Sequence, residues 1–164
     1  MTHFYIILVG LIFGSFLNVV IYRLPKSMSL SFPSSHCPVC KHKLKWYDNI
    51  PVFSYLFLRG KCHYCQESIS SRYIMVETLN ASLWLLAYHV FGLSVLFFLA
   101  SVVLSIFILI IFIDIDEMII PDSLNIGILL VGIALLFIPD TFVSGDLVVS
   151  NLDQFIGFGF VSYF

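Results

Sequence analysis

The chain has 164 residues, 60% of them hydrophobic and only 11% charged, with a formal net charge of −2 and a mean hydropathy of +1.01. A soluble domain carries roughly 25% charged residues. These values exclude a water-soluble globular protein and leave an integral membrane protein, with membrane lipids as its surroundings and no nucleic-acid partner expected.

The small net charge conceals a strong asymmetry. All eight Lys and Arg lie between Arg23 and Arg72, and none follows. Positively charged loops are retained in the cytoplasm, so residues 23–72 are assigned there.

The first apolar stretch runs from Phe4 to Tyr22 and is interrupted only by Gly10, Gly14, Ser15 and Asn18. As a helix it spans about 28 Å, close to the thickness of the bilayer core. Its basic residues, Arg23 and Lys26, come after it rather than before it. This argues for a retained transmembrane helix with Met1 outside, not a cleaved leader. Gly10 and Gly14 form a small-xxx-small pattern, and Asn18 suits an interhelical hydrogen bond.

The loop that follows contains all four cysteines. Cys37-Pro38-Val39-Cys40 and Cys62-His63-Tyr64-Cys65 are separated by twenty-one residues. Two CxxC pairs at this spacing predict a four-cysteine zinc ribbon. A reducing compartment disfavours structural disulfides. The alternatives are reduced thiols or a redox CxxC. His36, His42 and His63 are adjacent substitute ligands. A closed four-thiolate site has no open position, so the metal would be structural. Between the pairs lie Trp46, Tyr47, Asp48, Asn49, Pro51, Phe53, Tyr55 and Phe57. They read as the ribbon's small apolar core with aromatics at the membrane interface, or else as a peptide-docking surface.

Leu79 to Ile113 is too long for one span. A turn at His89–Ser94, around Gly92, divides it into two. The second span descends to Asp114, Asp116 and Glu117. These carboxylates either mark a helix end meeting water or include one half of an aspartyl protease pair. Glu117 reads as solvated, and Glu77 as an acidic residue at a helix N-terminus. Pro121 breaks the helix. Asp122 and Ser123 then cap a shorter fourth span, Leu124 to Ile138. Pro139 to Asp153 reads as an outer loop. Gln154 to Phe164 begins a fifth apolar segment and stops after eleven residues, as though the protein were longer. The expected fold is all-α and polytopic: about four transmembrane helices, the start of a fifth, and a cytoplasmic zinc-ribbon-like loop.

Several ordered motifs resemble the type IV prepilin peptidases, membrane leader peptidases that are also N-methyltransferases. Gly14-Ser15-Phe16-Leu17-Asn18-Val19-Val20-Ile21-Tyr22-Arg23-Leu24-Pro25 is similar to that family's first-helix signature. The CxxC pairs, Trp46-Tyr47-Asp48-Asn49-Ile50-Pro51-Val52, Ser71-Arg72-Tyr73 leading to Glu77, and Asp114 through Pro121-Asp122 also match. The resemblance implies an aspartic endopeptidase of the bacterial inner membrane. Such an enzyme cuts the leader from prepilins or type II secretion pseudopilins, then methylates the new N-terminus with S-adenosylmethionine.

It also implies Asp114 as the first catalytic aspartate, eight positions before Asp122. The second belongs to a Gly-x-Gly-Asp motif that this chain does not reach, and Gly145-Asp146 lies too early to replace it. One aspartate makes no dyad, so the 164 residues alone are expected to lack proteolysis. The implied division is residues 4–22 as first helix, 23–76 as zinc-binding loop within an N-terminal domain of about 8–92, and 97–164 as the start of the peptidase domain. Gly14 falls in the portion linked to methyl transfer, although helix packing explains it as well. The competing reading is a non-catalytic zinc-ribbon membrane protein or assembly-factor remnant. A thiol oxidoreductase is a weaker third.

Overall fold

The computed structural model describes residues 1–136 except Pro33, Pro38, Ile120 and the side chain of Trp46. The expected outer loop at 139–153, the fifth apolar segment at 154–164 and Gly145-Asp146 lie outside the described residues. The described elements are helices: α1 (Thr2–Arg23), the short α2 (Phe53–Phe57), α3 (Arg72–Phe91), α4 (Val95–Glu117) and α5 (Asp122–Leu136), with a 3-10 turn at Trp46–Asn49. Among the described residues there are two isolated β-bridges and no strand. Three helices, α1, α3 and α4, are long and apolar enough to cross a membrane, and α5 is a shorter apolar helix. The protein is a multi-pass membrane protein.

The boundary between the second and third long helices falls where the sequence places it. Helix α3 ends at Phe91. Gly92 takes φ +61°, and Ser94 caps α4 by accepting the Phe97 amide at 3.3 Å. Glycine meets the positive φ without steric cost, and serine satisfies an otherwise orphaned amide. The start of α3 differs from expectation. It begins at Arg72, seven residues before Leu79, and two polar residues of its first two turns pair with other elements, Arg72 with Asp116 and Glu77 with the Val52 amide. Asp122 is itself the first residue of α5 rather than a residue preceding it.

The tightest helix contact is between α1 and α3. A Cβ on Gly10 would lie 2.8 Å from the Ala81 Cα, and one on Gly14 would lie 2.7 Å from the Glu77 Cα. Both glycines therefore serve backbone-to-backbone approach. Lipid provides no hydrophobic drive for helices to associate, so such small-residue contacts and interhelical hydrogen bonds hold the bundle together. Asn18 donates to the Tyr73 carbonyl at 3.1 Å, which is the interhelical bond expected of it.

Deeper in the bundle, Asn80 joins all three long helices. It donates to the Gly10 carbonyl at 2.7 Å and accepts from Ser105 Oγ at 2.8 Å; that hydroxyl in turn receives Trp84 Nε1 at 3.0 Å. Around this network sit two apolar clusters. One, at the loop end, includes Leu17, Ile21, Val76, Ile108 and Ile113; the other, at the opposite end, gathers Ile6, Trp84, Ala87 and Phe97.

Candidate metal centre and the carboxylates beside it

The two cysteine knuckles are built by the same backbone turn. Cys37 donates its amide to the His42 carbonyl at 3.0 Å and its carbonyl accepts from Lys41 at 3.0 Å. Cys62 repeats this with the Glu67 carbonyl at 2.8 Å and the Gln66 amide at 3.0 Å. Lys41 and Gln66, four residues after each leading cysteine, both take positive φ, at 59° and 58°. The bridges His36 to Lys43 and Lys61 to Ser68 close the turns in the same register. This repeated geometry points the paired sulfurs of each knuckle to one side.

All four sulfurs converge. The Sγ atoms of Cys37, Cys40, Cys62 and Cys65 lie within 4.8 Å of one another, and Cys37 and Cys65 are 3.8 Å apart. Four sulfurs at about 2.3 Å from one ion stand about 3.8 Å apart in a tetrahedron. The donor set and spacing therefore fit zinc held by four thiolates. None of the four is in a disulfide. Burial raises the Cys37 thiol, but hydrogen bonds from the Cys40 and Val39 backbone and from nearby thiols outweigh it and bring it down to about 7. At Cys65 the Glu67 backbone favours the thiolate, yet burial and the other three thiols push it up to about 12. Proton-sharing of this kind follows from packing four ionisable sulfurs together.

The histidines considered as substitute ligands are engaged elsewhere. His42 stacks on Tyr64 with centroids 3.6 Å apart, which joins the two knuckles. His36 Nδ1 lies 3.1 Å from the Ser34 carbonyl. His63 Nδ1 stands 3.7 Å from Asp48, whose side chain is only 3% exposed. Asp48 is a structural residue that sequence reasoning missed. Its Oδ2 accepts the Lys45 amide at 3.0 Å and the Tyr64 hydroxyl at 3.4 Å, bracing the second knuckle against the 3-10 turn. The available signal was an aspartate three residues after Lys45, the spacing of a side chain that caps a turn.

Of the aromatics read as a small ribbon core with rings at the membrane interface, the described Tyr47, Phe53 and Phe57 are exposed and form no core. Helix α2 buries none of its residues. Among the described aromatic side chains of this stretch Tyr55 is half-buried, with its hydroxyl 3.5 Å from the Ile69 carbonyl and its ring against Gly60, while Phe53 and Phe57 are exposed.

Glu77 does more than place a charge near a helix N-terminus. It lies in the second turn of α3, is 7% exposed, and accepts the Val52 amide at 2.7 Å. Val52 has φ 60° and ψ −48°, a conformation that β-branched residues rarely adopt. The bond to Glu77 helps to hold the cysteine loop in this shape against the α1–α3 contact.

At the end of α4 the acidic residues separate by role. Asp116 forms an ion pair with Arg72 at the start of α3. Asp114, Asp116 and Glu117 are all exposed, so the ion pair and not burial distinguishes them. Two residues apart on a helix are about 200° apart around its axis, so the pairing that takes Asp116 onto α3 leaves Asp114 on another face. The helix stops at Met118, which takes a left-handed conformation and donates its amide to the Asp114 carbonyl at 2.9 Å.

Comparison with known proteins follows the same residues. Residues 8–91 match the Bacterial Peptidase A24 N-terminal domain. A prepilin leader peptidase/N-methyltransferase of Myxococcus xanthus is 38% identical over 97% of this chain and 48% of its own length. Proteins of that name from Klebsiella pneumoniae and Vibrio cholerae are 37% and 39% identical, over 78% and 76% of this chain and 59% and 54% of their own lengths. The chain spans about half the length of the curated relatives it matches. No solved structure matches it. With the domain model covering residues 8–91 of 164, the chain belongs to the bacterial peptidase A24 N-terminal domain family.

Proposed function

We propose that the protein acts in the bacterial inner membrane as a leader peptidase and N-methyltransferase on prepilins or type II secretion pseudopilins. The cysteine loop faces the cytoplasm and Met1 lies outside. Support for this orientation comes from the confinement of all eight Lys and Arg to residues 23–72. Support for the activity comes from the names of the relatives.

Asp114 is proposed as one catalytic carboxylate. The observation that carries this role is the division of labour at the end of α4, where Asp116 is paired with Arg72 while Asp114, exposed on another face, has no ion pair among the described residues. Peptide hydrolysis by carboxylates needs two of them sharing a water, one ionised as base and one protonated as acid. Asp114 at the loop end would meet a substrate whose leader stays on the same side as the basic residues.

Zinc held by Cys37, Cys40, Cys62 and Cys65 would be structural. Four thiolates leave no position for substrate. S-adenosylmethionine is the methyl donor that the relatives' name suggests, but Gly14 offers no cradle for it. The glycine is occupied by the backbone of Glu77, so no methyl-transfer step is assigned to it.

The test is complementation. In a bacterium lacking its own leader peptidase, this chain joined to the remaining C-terminal half of a relative, which would supply a second carboxylate, should convert prepilin to the shorter mature form. Unprocessed prepilin at normal expression of the protein would refute the reading.

A further inference from the structure

Helix α2 and the turn before it sit where a soluble loop would not be. Val52 is bonded to Glu77, which lies five residues into α3, about 7.5 Å along its axis from the level of Arg72. Arg72 and its partner Asp116 mark the polar plane at this end of the bundle. Val52 also lines a groove of about 260 Å³ with Ile7, Leu11, Ala81 and Leu85, residues of α1 and α3 that lie deeper still. The chain from Pro51 onwards is therefore held against the membrane-crossing part of the bundle.

The side chains that follow suit an apolar solvent. Phe53, Leu56 and Phe57 are 53%, 60% and 86% exposed. Non-helical backbone at membrane depth is tolerated only if its polar groups are paired, and five amides of this segment have acceptors. The amide of Val52 reaches Glu77, those of Phe53 and Ser54 reach Pro51 and Ile50, and those of Leu56 and Leu58 reach Val52 and Ser54. Arg59 and Lys61 come directly afterwards, in a loop of eight basic and two acidic residues, Asp48 and Glu67. Basic residues flanking a buried apolar turn extend to the headgroups and favour an anionic leaflet.

We propose that Pro51–Phe57 is a re-entrant lipid anchor. Helix α2 lies in the leaflet on the loop side, with Phe53, Leu56 and Phe57 among the acyl chains and Arg59 and Lys61 at the phosphates. The anchor would hold the metal knot down on the membrane surface. This requires only that α1 and α3 cross the bilayer, and it does not depend on the peptidase reading.

The test places the photoreactive residue p-benzoylphenylalanine at position 57, and separately at position 56, in the intact protein. The protein is reconstituted in vesicles of phosphatidylethanolamine and phosphatidylglycerol. Val39, 60% exposed on the first knuckle, is the control position. Irradiation should add the mass of a phospholipid at positions 56 and 57 and not at 39. Retained metal content and a monodisperse profile show that each variant is folded. Crosslinking at 56 and 57 to another protein chain, or no lipid adduct in a folded variant, would overturn the proposal.

Discussion

The Glu77 carboxylate accepts the Val52 amide at 2.7 Å, so one buried acidic residue in a membrane-crossing helix fixes the backbone of a loop twenty-five residues earlier. A buried amide left without its acceptor costs about 1–3 kcal/mol. Glu77→Ala is therefore expected to lower the thermal unfolding midpoint in detergent. Glu77→Gln keeps an acceptor oxygen and should recover most of the loss. Equal destabilisation by both substitutions would mean that charge, not the hydrogen bond, is what matters at this position.

The α1–α3 contact makes a sharper demand. A methyl group at Gly10 or Gly14 would meet the Cα of Ala81 or Glu77 at 2.8 or 2.7 Å, and neither backbone can move aside without separating the helices. Gly14→Ala should destabilise the bundle by about 1–3 kcal/mol, the usual cost of forced overpacking. Unfolding in a denaturing detergent titration would measure it. Gly132, with nothing near its would-be Cβ, is the matched control and should tolerate alanine far better.

The four-sulfur cluster predicts about one zinc per chain, as closed thiolate sites hold. Elemental analysis of the purified protein should find it. Serine in place of Cys37, Cys40, Cys62 or Cys65 should reduce the metal content in each case. Full zinc retention after any single replacement would show that the remaining residues hold the ion in another way.

The Arg72–Asp116 pair is partly open to solvent, with side chains 26% and 33% exposed. Exposed pairs contribute roughly 0–1 kcal/mol. A double-mutant cycle of Arg72→Ala and Asp116→Ala should find a coupling energy within that range. A much larger value would mean that the pair is shielded by lipid or by residues beyond those described.

Different parts of the molecule were legible in the sequence to different degrees. The two CxxC pairs declared a shared site because ligand spacing is a local property, and the structure brings all four sulfurs within 4.8 Å. The turn at Gly92 was legible because a single helix over the thirty-five uncharged residues 79–113 would overshoot the bilayer. Pairings across the bundle were not. Glu77 looked like a charge on a helix end because nothing in its own neighbourhood names Val52 as a partner. Arg72 likewise gave no sign that Asp116, forty-four residues later, would neutralise it. The exposure of Phe53 and Phe57 on α2 was not legible, because aromatic residues suit a small core and a membrane interface equally well and the sequence supports both.

The central functional claim, that Asp114 rather than Asp116 carries the chemistry, has a direct test. The chain joined to the C-terminal half of a relative, bearing Asp114→Asn and separately Asp116→Asn, is expressed at matched levels in a bacterium without its own leader peptidase, and the rate of prepilin conversion is measured against the unsubstituted fusion. Loss of a positioned acid or base removes about 10²–10⁴-fold of rate, so Asp114→Asn should leave prepilin at full length while Asp116→Asn still processes it. Wild-type conversion by the Asp114→Asn protein would contradict the account.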